Sequence, residues 1–376
     1  MSVFAPVVSL LSYIVPFLFV LSVVVFFHEL GHFLVGRWCG VKVDAFSLGF
    51  GPEIAHYTDR KGTRWRLALL PLGGYVRFHG DANGASMVDS ETAAAMPRAE
   101  RAVTFFAQPV WKRALIVAAG PIANFILAIV VLTGLFYFEG HRVMTPRVES
   151  VQAGEAADRA GFKAGDLIVS VNGEAVEGWS DLQRIVQSSV GEPLTIVVRR
   201  NDGLATLVAT PVVREIDTIF GKNKVAMIGL NGSRDPADVK VLQPNPVEAL
   251  RLGMRETWFG VDRTISFVTG VFAGRESTDQ MSGPIGIARV SGEVARLGFS
   301  ALINLIAILS VSIGLLNLVP IPLLDGGHLL YYAAEALRGR PLSQRVQEVG
   351  FRIGLAFVLA LMILATRNDI VHLIWS

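Results

Sequence analysis

The residues of this chain best suited to chemistry are His28, Glu29 and His32, in the run His28-Glu29-Leu30-Gly31-His32. Four residues make roughly one helical turn, so on a helix both imidazoles leave from one face and can share one zinc ion, with Glu29 beside the metal-bound water. The motif follows an unbroken uncharged run from residue 7 to residue 27. Ionisable groups at the end of such a run cost several kcal/mol unless they have partners, and a functional site supplies them. The competing reading is an interfacial cluster that marks a helix end.

Catalytic zinc takes three protein ligands and keeps one position open. The single cysteine, Cys39, excludes a cysteine-rich site, so the third ligand is a histidine or a carboxylate. Asp325 is the leading candidate. It follows Asn317-Leu-Val-Pro-Ile-Pro-Leu-Leu324, where Pro320 and Pro322 cannot continue a regular helix. Extended backbone at membrane depth is tolerated only where protein or a water-filled cavity satisfies it, and there a cation would offset the desolvation of Asp325. The competing reading is that Asp-Gly-Gly is ordinary turn chemistry at a helix exit, the better reading of the triplet taken alone; His328 is a further candidate ligand nearby, ranked below Asp325.

The elements that must carry these residues are mostly apolar. Of 376 residues, 52% are hydrophobic and 18% charged, and the mean hydropathy is +0.48. Part of the chain lives in lipid. A formal charge of +2 and the absence of a long basic run leave no footprint for nucleic acid. Residues 7–27, 114–138 and 297–324 are uncharged and long enough to span about 30 Å of hydrocarbon as helices. The fourth run, 353–366, crosses only if its helix extends toward 349–368, with Arg352 and Arg367 at the interfaces. No Lys or Arg precedes Arg37, so the first run reads as a retained span (residues 1–36 with the motif) and not as a cleaved signal.

Between the spans, the segment 37–113 is basic at both ends, which places it in the cytoplasm by the positive-inside rule and puts both termini and the segment 139–296 outside. Within it, residues 63–70 and 73–78 read as strands of a hairpin, 81–101 as a mobile linker and 105–113 as an interfacial aromatic and basic stretch. Residues 142–215 read as a small β-rich module, with Asn172-Gly173 as a turn signal. The connecting segment 216–296 carries an amphipathic stripe of Val247, Leu250, Met254, Trp258, Val261, Ile265 and Val268, suited to a membrane surface or to packing.

Three motifs in this order, HELGH at 28–32, GPIANF at 120–125 and NLVPIPLLDGGH at 317–328, resemble the site-2 protease family of intramembrane zinc metalloproteases. The bacterial branch that cleaves membrane-bound anti-sigma factors is the nearest likeness, and AGFKAGDLIVSVNG at 160–173 is similar to the PDZ module of that branch. Some relatives carry two such modules; one is evident here. The resemblance implies a polytopic α-helical membrane protein of about four spans, with a membrane-associated β-hairpin and an inserted β-rich PDZ-like domain. It implies one zinc ion per chain on His28, His32 and Asp325, with Glu29 as general base and Asn124 and Asn317 positioning substrate or site. Interhelical hydrogen bonding is the alternative for both asparagines. The implied partners are the bilayer and membrane-protein substrates with a transmembrane helix, anti-sigma factors among them. The implied location is the bacterial inner membrane, with the HELGH site toward the cytoplasm and the PDZ-like domain outside. A metal-ion transporter and a catalytically silent peptide-binding adaptor are the rivals from other classes.

Overall fold

The computed structural model describes residues 5–81, 96–201, 203–218, 221–233, 235–274 and 281–375. Among the described residues, four helices are long and apolar enough to cross a membrane, which makes the chain a polytopic membrane protein. The first, Ala5–Trp38, continues without a break through HELGH, so both histidines stand on one helix face. The second is Val110–Glu139, with Pro121 inside it. The third, Phe299–Leu318, stops before Pro320. The fourth, Gln344–Trp375, extends well past the short apolar run at both ends.

Two compact units divide the chain: residues 1–135 with 249–376, and residues 136–248. In the first unit, Val20, Val24, Leu127, Leu302, Leu305 and Ile306 form the core shared by the first three spans. The outward faces remain apolar, with Phe19, Ile126, Val130, Ile308 and Ile363 all exposed, as lipid requires.

The strands Val43–Thr58 and Arg64–Phe78 pair with each other, and both are bent. Gly49 and Gly51, at φ +92° and +87°, turn the first one. The result is four short segments side by side. Residues 45–48 pair on one side with 74–77 and on the other with 64–67, while 55–58 pair with the outer side of 64–67. The free edges are therefore 74–78 and 53–58, and the expected strand 63–70 is interior. The strand 43–58 was not expected at all, because Gly49, Gly51 and Pro52 interrupt its pattern. Phe46, Val76 and Phe78 pack on Phe33 and Ile116, which fixes the sheet to the first two spans. The turn is fixed as well: Asp59 pairs with Arg37 and accepts from the amides of Lys61 (2.9 Å) and Thr63 (3.1 Å). Burial would raise the Asp59 carboxyl, but these bonds hold it at about 2. Of the expected linker 81–101, residues 82–95 lie outside the described residues, and Arg98–Arg101 form one helical turn.

Helix Pro246–Phe272 turns its small residues inward. Ala249 and Thr257 are buried, and Gly253 and Gly260 lie against Thr133 and Val311. The bulky stripe of Val247, Leu250, Met254, Trp258 and Ile265 faces outward. A short helix, Pro284–Arg296, then packs Gly292 against Tyr13 of the first span. Its first turn is capped from the fourth span, where Asp369 accepts from the amides of Gly283 (3.0 Å) and Gly286 (2.9 Å).

The second unit is β-rich and reaches well beyond the expected end at 215. Strand Leu230–Gly232 pairs with Val148–Val151, and Val239–Leu242 pairs with His141–Met144. A four-stranded antiparallel sheet orders as 174–175, 167–171, 194–200 and 203–209. Ile168, Val171, Leu194, Ile196 and Val198 meet Leu182 and Val186 of helix Trp179–Ser188 in its core. Asp166, 1% exposed, accepts from Arg200 at 2.7 Å through both carboxylate oxygens. Burial alone would raise the Asp166 carboxyl, but Arg200 and the Lys163 amide hold it below the usual range. A depressed carboxyl stabilises the fold above the unfolded pKa near 4 and loses that contribution as pH falls toward its folded value. Asp166→Asn is expected to lower the melting midpoint of this unit by about 5 °C or more at pH 7 and by progressively less below pH 4. Calorimetry across that range checks it; a pH-independent deficit would remove the ion pair as the cause.

Candidate metal centre

His28 and His32 direct their Nε2 atoms to one point, 3.3 Å apart. The Asp325 Oδ2 atom meets them there, 3.1 Å from His28 Nε2 and 3.5 Å from His32 Nε2. Among the described residues this is the one group of three or more such side chains that could hold a metal ion. Tetrahedral zinc with bonds of 2.0–2.1 Å sets its ligand atoms about 3.3 Å apart, so the three separations match the edges of that polyhedron. The donor set agrees. Asp325 Oδ2 is buried and makes no well-formed hydrogen bond despite its two imidazole neighbours.

The second span sets the tautomers. His32 Nδ1 donates to the Ile116 carbonyl at 2.9 Å, which leaves Nε2 with its lone pair. His28 Nδ1 lies 3.3 Å from the fully buried Asn124 amide, whose Oδ1 has no hydrogen-bond partner. With the amide turned over, Oδ1 accepts from His28 Nδ1–H, and one rotation satisfies both groups. Asn124 is itself located by Ser310 of the third span, whose Oγ donates to the Asn124 carbonyl at 2.8 Å.

Close approach of the first two spans depends on glycines that sequence reasoning did not single out. A Cβ on Gly31 would strike the Ala119 carbonyl, and one on Gly120 would strike His32 Nε2. Both lie inside motifs quoted above, and the signal available was a glycine facing a ligand-bearing helix turn.

Glu29 is half-buried beside the sheet. A Cβ on Gly74 would come within 3.1 Å of Glu29 Cγ and 2.8 Å of the Ser47 carbonyl, and the Val76 backbone amide interacts with the Glu29 carboxylate. The free edge 74–78 therefore runs beside Glu29.

Asp325 does not sit in a turn at a helix exit. It opens a new helix, Asp325–Arg338, and its two following glycines allow the helix start to press on the preceding backbone. A Cβ on Gly326 would strike the Leu318 and Val319 carbonyls, and one on Gly327 the Ile321 carbonyl. Leu323 holds φ at +102°, a strain of about 1–3 kcal/mol for a branched residue. The new helix is tied to the second span by Arg113, which pairs with Glu335 at 2.7 Å and lies over the Tyr332 ring. His328 falls outside the three-residue group and turns its ring toward Tyr331. Asn317 is half-buried near the end of the third span, and among the described residues no hydrogen bond joins it to the cluster.

A membrane bundle with two imidazoles and a carboxylate around one point, beside a glutamate and an open strand edge, defines a membrane metallopeptidase. The sequence matches the model of peptidase family M50 over residues 16–361. It is 48% identical over 366 residues to the "Putative zinc metalloprotease Atu1380" of Agrobacterium fabrum, with 97% of each chain covered. It is 40% identical to the "Metalloprotease MmpA" of Caulobacter vibrioides, with 96% of each covered. The chain belongs to peptidase family M50, the site-2 proteases, and is a zinc metalloprotease. The transporter and adaptor alternatives are thereby set aside.

Proposed function

We propose that His28, His32 and Asp325 hold one zinc ion and that Glu29 is the general base for hydrolysis of peptide bonds in or beside transmembrane segments. The observation that carries this reading is the set of three ligand-atom separations of 3.1, 3.3 and 3.5 Å, with Glu29 on the same helix turn. When bound, zinc acidifies a water and polarises the scissile carbonyl. Glu29 takes the proton of the attacking water and returns it to the leaving amine. Asn124 and the Ile116 carbonyl keep both imidazoles oriented throughout. Asn317, near the loop that carries Asp325, takes the role of a substrate-positioning group.

A transmembrane helix engages its own carbonyls, so the substrate must unwind before it reacts. The edge 74–78 offers the unwound segment a strand to pair with, close to Glu29. The β-rich unit, two helices on a small antiparallel sheet, serves as the PDZ-like domain. Its task is to exclude substrates that keep a bulky outer domain, so that cleavage follows a first trimming, as in regulated proteolysis of anti-sigma factors. The inner membrane, with the HELGH end toward the cytoplasm and this domain outside, is the location that fits.

Glu29→Gln is expected to abolish cleavage of a model membrane helix while zinc stays bound, and Asp325→Asn to lose both, measured on purified protein by metal analysis and a cleavage assay. Cleavage by Glu29→Gln at the normal rate would remove the base assignment. A proline in the edge 74–78 at a position other than Val76, whose amide faces Glu29, should impair cleavage more than alanine at the same position, because proline deletes an edge donor; equal effects at every such position, with folding intact, would count against strand addition. Deleting residues 142–242 should admit untrimmed substrates while trimmed ones are cut as before, whereas a raised KM for trimmed substrates would show a receptor instead of a filter.

A further inference from the structure

The fourth span supplies none of the groups assigned to the metal or to the base, yet two of its glycines lie against the loop that delivers Asp325. A Cβ on Gly354 would run into the Pro322 carbonyl and come within 3.1 Å of Pro322 Cβ. Gly350, one turn earlier, faces the Tyr331 hydroxyl of helix Asp325–Arg338, and its own Cβ would stand 3.7 Å from Pro322 Cβ. The two glycines form a notch in which Pro322 sits.

That loop needs a support. Leu323 keeps a positive φ that leucine avoids, and such backbone persists only where its surroundings over-determine it. From one side the surroundings are the carbonyls of Leu318, Val319 and Ile321, against which Gly326 and Gly327 press. From the other side they are the fourth span at Gly354. The span is in turn pinned 15 residues further on, about 22 Å along the helix, where Asp369 caps Pro284–Arg296. A helix fixed at two depths cannot easily yield at the first.

We propose that Gly354 is a positioning residue for the metal site: the fourth span is the backstop that holds Pro322 and the strained Leu323, so that Asp325 Oδ2 meets His28 and His32. This rests on the reading of Asp325 as a zinc ligand. Gly354 touches no reacting atom and acts only through the loop.

The test uses the full-length chain in detergent, with zinc affinity read by chelator competition and the melting midpoint read with and without zinc. Gly354→Ala is expected to bind zinc about tenfold more weakly, the size of loss usual for groups that orient a ligand. The methyl meets backbone, so the zinc-free midpoint falls, but the zinc-dependent rise in midpoint should shrink as well. Ile353→Ala, on the exposed side of the same turn at 63% exposure, should behave as wild type. A residue with a packing role alone would lower both midpoints equally and leave zinc affinity unchanged, and that result would overturn the proposal. Should Gly354→Ala not fold, Gly350→Ala decides the matter. Its methyl meets the far end of Tyr331 and reaches Pro322 Cβ only at van der Waals distance, so it is expected to weaken zinc binding by a smaller factor, and an unchanged affinity overturns the backstop. Asp325→Asn separates the two levels. If it binds zinc as wild type does, the ligand assignment fails and the backstop with it; if it loses zinc while both glycine variants keep it, only the backstop fails.

Discussion

Two imidazole nitrogens and one carboxylate oxygen crowd within 3.5 Å of one another at the end of an apolar helix, and acceptors that close repel unless a cation lies between them. Water cannot relieve the conflict at that depth, so the protein has to supply both the charge balance and the rigidity. Each of the three side chains is accordingly held from behind by a neighbouring element. The Ile116 carbonyl and Asn124 orient the histidines from the second span, and Ser310 on the third span locates Asn124. The helix opened by Asp325 is tied to the second span by Arg113 and Glu335.

The same constraint explains the glycines. A ligand cluster can form only if the first two spans approach until backbone meets backbone, and Gly31 and Gly120 are where a methyl would stop them. Gly74 does for the sheet what these do for the helices, letting the edge strand lie on the Glu29 side chain. Glu29 is thus fixed by a strand, while His28, His32 and Asp325 are fixed by helices.

Much of this was legible in the sequence. Uninterrupted apolar runs have one physical meaning at such lengths, so three spans could be placed directly, and the spacing of His28 and His32 has one consequence on a helix. Asp325 could be narrowed down because prolines remove the helical alternatives around it. What stayed hidden depends on contacts distant in sequence. The strand 43–58 is broken by glycines whose positive φ makes sense only once the fold-back is known. The β-rich unit runs past 215 because Val239–Leu242 pairs with His141–Met144, nearly a hundred residues earlier, which no local pattern records. Asn124 and Asn317 look alike in a sequence; one is fully buried behind His28, and the other is half-buried outside the cluster.

The loop before Asp325 shows how irregular backbone survives at membrane depth. Every amide N–H there must find an acceptor, because lipid offers none. Residues 319–324 are Val-Pro-Ile-Pro-Leu-Leu, and the two prolines carry no N–H, so only four donors need partners. Three are satisfied locally: Val319 to the Leu316 carbonyl at 3.1 Å, Ile321 to Val319 at 2.7 Å and Leu324 to Ile321 at 3.0 Å. The prolines that end the third span therefore also lower the cost of leaving the helix. They turn the chain without exposing donors, and the next residue able to start a helix is the carboxylate itself. Asp325 stands in the first turn of Asp325–Arg338, the end of the helix that presents unpaired backbone N–H groups. The loop thus delivers the Asp325 carboxylate to the two histidines at a depth where an unpartnered one would be costly.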